Sequence, residues 1–97
     1  PLQFTTDINF MNFSLMLGNS FFYNLTIYGY PEPDRLKILK SNLDSYNVIV
    51  NYSSLEPPYL NIELKILNLK STDFGHYTLT IFQNGSQSLS FEFIINQ

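Results

Sequence analysis

One histidine is available for proton transfer, His76, and Asp73 stands three residues before it. A carboxylate that orients an imidazole is half of an acid–base or nucleophile-activating pair. The other half is missing. There is no cysteine to supply a thiolate, and a serine would need a base that is not placed for it. On a strand, His76 alternates out toward solvent while Tyr77 alternates in, and Asp73 falls in the turn before that strand. The two are therefore read as a turn acid and a surface imidazole.

The other acids are Asp7, Glu32, Asp34, Asp44, Glu56, Glu63 and Glu92. Glu32 and Asp34 stand close enough to hold a Ca²⁺ ion with backbone oxygens, yet no EF-hand spacing surrounds them, and a solvated loop is the expectation. No zinc-ligand set and no Gly-rich phosphate loop occurs. No cofactor, no metal and no enzymatic activity are expected. The net charge is -3, with one arginine, Arg35, four lysines and no basic run. Nucleic-acid binding needs clustered cations to neutralise phosphates, so that class is set aside.

The asparagines carry the clearest chemistry. Four sequons are present: Asn12-Phe13-Ser14, Asn24-Leu25-Thr26, Asn51-Tyr52-Ser53 and Asn84-Gly85-Ser86. Such triplets accept N-linked glycan in secreted chains. The lack of cysteine argues the other way, because small secreted domains are usually stapled by disulfides. We read the sequons as the stronger signal, for an extracellular chain. The opening Pro1-Leu2-Gln3-Phe4 has neither charged head nor cleavage site of a signal peptide. The chain is expected to be a domain of a longer protein, anchored to a membrane outside this segment, since no apolar run here approaches a membrane span.

These groups must be positioned by strands. The chain has 97 residues, 44% hydrophobic and 16% aromatic, enough for one packed domain over residues 1–97. No segment of twelve or more residues shows helical periodicity. Phe21, Tyr23, Leu25 and Ile27 alternate with polar or exposed partners. So do Leu60, Ile62, Leu64 and Ile66, then Tyr77, Leu79 and Ile81, then Leu89, Phe91, Phe93 and Ile95. Period-two alternation buries one face of each strand. Breaks fall at Gly18-Asn19-Ser20, Gly29-Tyr30-Pro31-Glu32-Pro33, Glu56-Pro57-Pro58 and the hairpin signal Asn84-Gly85. Short strands with regular turns predict an all-β sandwich or barrel.

Three blocks then resemble the I-set immunoglobulin domain, in order. Gly18 to Leu25 is similar to the turn and strand B, with Leu25 at the position of that family's first cysteine. Leu25 to Pro33 looks like the end of strand B and a Gly-x-Pro-x-Pro loop. Leu64, Ile66, Leu69, Asp73, Gly75 and Tyr77 fall at the spacing of strand E, the E–F turn and strand F. The resemblance covers residues 8 to 96. It implies an immunoglobulin-like Greek-key β-sandwich of two antiparallel sheets, with strands A, B, E and D on one and A′, G, F, C and C′ on the other. It also implies a tyrosine corner at Asp73, Gly75 and Tyr77, in which the Tyr77 hydroxyl bonds backbone upstream. Three departures stand out. The second cysteine position is Leu79, the tryptophan position is Ile38, and no arginine is placed to pair with Asp73. An I-set domain without its disulfide must replace about 2–5 kcal/mol, and Phe10, Phe21, Phe91 and Phe93 are expected to supply it by burial.

The family's default work is binding. The expected role is an extracellular binding module of a cell-surface adhesion or recognition receptor, similar to disulfide-free domains of some receptor tyrosine kinases and of invertebrate allorecognition receptors. Its partner would be a protein, including a second copy. Asn24 faces outward on strand B, so a glycan there would cover the A-B-E-D sheet. The binding candidates are then Lys37 and Leu39, His76, Thr78, Thr80 and Phe82, and Ser90 and Glu92, on the A′GFCC′ sheet. The alternative is a structural spacer in a tandem immunoglobulin array, ectodomain or muscle-type.

Overall fold

The computed structural model describes residues 2–6, 8–45 and 47–97; Asp7, one of the acids named above, lies outside them. Among the described residues nine strands form, the longer ones where apolar residues recur at every second position: β1 (Gln3–Phe4), β2 (Phe10–Ser14), β3 (Phe21–Tyr28), β4 (Arg35–Lys40), β5 (Leu43–Asp44), β6 (Ile49–Ser54), β7 (Tyr59–Ile66), β8 (Gly75–Gln83) and β9 (Ser86–Asn96). A 3-10 turn, Ser71–Asp73, leads into β8. One sheet has the order β1-β3-β7-β6 and the other β2-β9-β8-β4-β5. These are the A-B-E-D and A′-G-F-C-C′ sheets. The expectation of two antiparallel sheets needs one correction: β2 runs parallel to β9, with Phe10 opposite Glu92 and Ser14 opposite Asn96. The chain leaves the first sheet after β1, whose Phe4 packs against Phe91 of β9, and crosses to the neighbouring edge of the second sheet beside β9.

The core lies between the sheets. On β7, Leu60, Ile62, Leu64 and Ile66 point in; Tyr77, Leu79 and Ile81 do so on β8, and Phe91, Phe93 and Ile95 on β9. Leu25, Leu79 and Ile38, the residues at the cysteine and tryptophan positions, are all buried in this one cluster. Beside them stands a group of rings. Phe93 stacks on Phe21 at 5.5 Å, on Tyr77 at 5.0 Å and on Phe91 at 5.8 Å, and Tyr23 stacks on Phe91 at 5.6 Å. Ring pairs contribute about 0.5–1.5 kcal/mol each beyond their buried area. Several of them together match the size of the missing disulfide. Phe10 takes no part and is exposed, a correction to its expected burial. It sits on the outward side of β2, and Phe13 on the inward side packs against Phe21, Tyr23 and Phe93 instead.

Two turns depend on special backbone. Asn84 and Gly85 have φ of 53° and 79°, the consecutive positive values that a two-residue hairpin between twisted strands requires. Gly75 has φ of 144°, and a Cβ there would lie 3.1 Å from the Lys40 Cε. Glycine thus lets Lys40 cross the start of β8 closely enough for its ammonium to reach the Thr72 carbonyl.

Candidate functional site

The turn before β8 holds a closed polar cluster. The buried Tyr77 hydroxyl donates to the Asp73 carbonyl at 2.7 Å. The Asn47 amide nitrogen has two hydrogens and two acceptors: the Tyr77 oxygen at 2.8 Å and Asp73 Oδ1 at 2.7 Å. The Lys70 backbone N–H donates to Asp73 Oδ2 at 2.8 Å, and the Ser45 hydroxyl donates to the Asn47 carbonyl oxygen. Asp73 is only 7% exposed, so these donors replace the water it has lost. No arginine meets this carboxylate; a neutral amide does. Burial pushes the Tyr77 phenol above its ordinary value; the Asn47 hydrogen bond opposes that shift, and the nearby Asp73 charge adds to it. Asn47 is the residue that sequence reasoning missed. It lies 26 positions from Asp73, outside any strand, with no local pattern to mark it.

His76 does not pair with Asp73. Its Nε2 lies 3.5 Å from Glu92 Oε1 across the β8–β9 ladder, while Asp73 is turned into the corner. Asp34 accepts the Gly85 N–H at 2.9 Å, tying the loop before β4 to the β8–β9 hairpin. Among the described residues no group of three His, Cys, Asp or Glu is placed to hold a metal. An open cleft of about 500 Å³ lies between Phe4, Thr6 and Asn9 on one side and Ser88 to Ser90 on the other, and among the described residues its lining holds no titratable side chain.

The outward side of the A′GFCC′ sheet brings most of the expected binding residues together. Lys37 is opposite Thr80, Leu39 opposite Thr78, Thr78 opposite Glu92 and Thr80 opposite Ser90. Thr80 is corrected: expected to face solvent, it is 6% exposed. It stands on the middle strand, and its short side chain between Lys37 and Ser90 leaves little surface of its own. Phe82 is partly covered, because the Arg35 guanidinium lies 4.2 Å over its ring. Lys37 is paired with Asp44 at 3.3 Å. Arg35 and Asp44 therefore belong to this face, and the same period-two rule applied to β4 and β5 marks them.

No family model and no curated protein sequence matches this chain. Solved structures do resemble it. The structure of Titin-A168169 superposes with a TM-score of 0.72 at 13% identity, covering 98% of this chain and 47% of that one. The titin M3 domain gives 0.66 at 17% identity, covering 99% of this chain and 97% of the domain. Titin domains z1z2, solved in complex with telethonin, give 0.68 at 16% identity, covering 98% and 47%. The fold is that of an immunoglobulin-like domain. The chain spans about half or a third of the longer titin fragments, one of them described as a tandem of Ig domains.

In this immunoglobulin-like module all four sequon asparagines are exposed. Asn24 and Asn51 both lie opposite Glu63, one on each side of β7, in a single row on the A-B-E-D sheet. Asn24 accepts a hydrogen bond from Asn61 at 3.1 Å. Asn12 is elsewhere. It stands on the edge strand of the A′GFCC′ sheet, opposite Ile94, with its side chain tied to Asn96 at 3.0 Å. Glycan at the sequons would thus burden both sheets, more heavily the first. Asn84 is in the hairpin at one end. The long axis measures 38 Å against 25 and 21 Å, and both ends expose large apolar side chains. Tyr30, Leu55 and Tyr59 gather at one end; Met16, Leu17 and Leu67 are at the other.

Proposed function

We propose that this chain is a structural module of a tandem immunoglobulin array, carried outside the cell. The observation that supports it best is the pair of apolar ends. Strand β3 connects them. Its residue Tyr28 meets β1 and Tyr59 at the end holding Tyr30 and Leu55. Its residue Phe21 meets Ile66 at the other end, where Leu69 bonds Gly18 and Asn19 and Leu15 bonds Asn96. The strands that begin and finish the sandwich, β1 and β9, therefore meet opposite ends, and a like domain at each would cover the exposed side chains. Contacts of that kind set the angle between consecutive domains. The exposed sequons favour an exported array over a cytosolic muscle-type one. In the full-length parent chain, the Leu17→Glu, Leu67→Glu double variant is expected to leave this domain's unfolding midpoint unchanged and to raise the radius of gyration measured by X-ray scattering. An unaltered scattering profile would sink the reading.

The A′GFCC′ face supports a second reading, a recognition module of a cell-surface adhesion receptor of the kind the sequence resembles. Lys37, Leu39, His76, Thr78, Phe82, Ser90 and Glu92 share one sheet face, with the cations Arg35 and Lys37 on the β4 side and Glu92 on the β9 side. A two-fold axis through such a face sets Lys37 of one copy against Glu92 of the other. That titin z1z2 was solved with telethonin supports a protein partner for a fold of this type. Sedimentation over a concentration series, with Thr78→Arg as the disrupting variant, tests self-association. A monomer at every concentration removes the second copy as partner.

A further inference from the structure

Exposed apolar side chains recur at one fixed position relative to the sequons. Residues n−2, n and n+2 of a strand stand on the same face, about 7 Å apart in succession. In β3 these are Phe22, Asn24 and Thr26; in β2 they are Phe10, Asn12 and Ser14; in β6 they are Ile49, Asn51 and Ser53. Phe22 is 59% exposed, Phe10 45% and Ile49 41%. An isolated exposed leucine or phenylalanine needs no explanation, but the same placement beside each strand sequon is a pattern. Among the described residues neither Phe10 nor Phe22 packs on another ring, although most phenylalanines of the chain do. These side chains point away from the core, and unlike Phe82 under Arg35 they keep two-fifths or more of their surface open to solvent.

We propose that Phe22, Phe10 and Ile49 are floors for carbohydrate, each covered by the first N-acetylglucosamine of an N-linked glycan on the asparagine two residues later. The inference rests on the extracellular placement proposed above. A pyranose ring presents a face of C–H bonds as well as its hydroxyls, and laying that face on a phenyl ring removes apolar surface of both from water. The link through the asparagine amide keeps the sugar at the same strand, so ordering it costs less than binding a free sugar. The β3 site is the strongest of the three. Phe22 is the most exposed floor, and its row neighbours Lys65 and Ile49 flank rather than cover it. Asn24 itself points into solvent beside Asn61 and Glu63. Asn84 provides an internal control. It sits in the hairpin with φ of 53°, off the strand geometry, and Phe82 two residues before it is already taken by Arg35.

The test is a coupling measurement. The chain is secreted from a glycosylating cell, its occupancy read by mass, and its glycans trimmed to a single N-acetylglucosamine. Thermal midpoints are compared for the form carrying sugar at Asn24 and for Asn24→Gln, each with Phe22 intact and with Phe22→Ala. Phe22 is exposed, so the alanine variant still folds. The expected result is a rise of about 4 °C from one sugar, lost when Phe22 is alanine, with no such rise from sugar at Asn84. A rise that survives Phe22→Ala overturns the proposal, as does an unmodified Asn24 on the secreted chain. The extracellular reading fails on a different observation: an unglycosylated protein isolated from its own cells.

Discussion

Tyr77 and His76 are neighbours on β8, yet they belong to two polar clusters with opposite physics. Tyr77, Asp73 and Asn47 are enclosed, and every side-chain polar atom among them has a partner within the molecule. His76 with Glu92, and Lys37 with Asp44, stand on the sheet face with side chains about half exposed. In the first cluster a lost partner cannot be replaced by water; in the second it can. The corner is therefore where the fold is vulnerable. The face is where sequence can change with little cost to stability.

That contrast can be broken, most severely first. Asn47→Leu removes both amide hydrogens from the corner and leaves Asp73 Oδ1 without its donor in a closed site. We expect a loss of about 3 kcal/mol, read from the urea midpoint. Adding Asp73→Asn, which removes the stranded charge, recovers part of it; a double variant no better than the single one would mean the loss is packing and not charge. Gly75→Ala puts a side chain into the left-hand region of backbone space and against Lys40, at about 2 kcal/mol.

Tyr77→Phe keeps the ring stacked on Phe93 and removes only the hydroxyl, at about 1 kcal/mol near neutral pH. It also changes the alkaline limb. Because burial raises the phenol's folded pKa above the unfolded value of about 10, the folded state holds its proton longer than the unfolded chain. The stability this contributes is complete below pH 10 or so and is lost as pH climbs through the raised value. The phenylalanine variant should lack that decline, and denaturant titration between pH 9 and 11, an interval set by that ordinary value of about 10, shows whether it does. The smallest effect belongs to the face. Glu92→Gln should cost under about 0.5 kcal/mol, and less still in high salt. A loss as large as that of Asn47→Leu would erase the distinction between the two clusters.

The architecture was readable because its signals are local. Alternating apolar residues marked β3, β7, β8 and β9. Asn84-Gly85 marked the hairpin, and Asp73, Gly75 and Tyr77 marked the corner within five consecutive positions. Much of the outward A′GFCC′ face followed from the same alternation once β8 was in place. The departures have a common character. Thr80 was on the correct face but buried, because accessibility depends on the side chains of flanking strands. Phe10 was counted toward the core because its type is apolar, while strand phase sends Phe13 inward in its place.

By itself, then, the sequence determined most of the strands, the buried side of the main ones, the turn chemistry and the positions of the four sequons. These depend on residues within a few positions of one another and on a two-residue period that any strand must obey. Tertiary structure alone decided the rest. It brought Asn47 to Asp73, set Asn24 and Asn51 on either side of Glu63, sent Asn12 to the opposite sheet, and turned the entering β2 parallel to β9. Each of these is a matter of register between segments far apart in the chain, and register is chosen by the packing of the whole core rather than by any one segment.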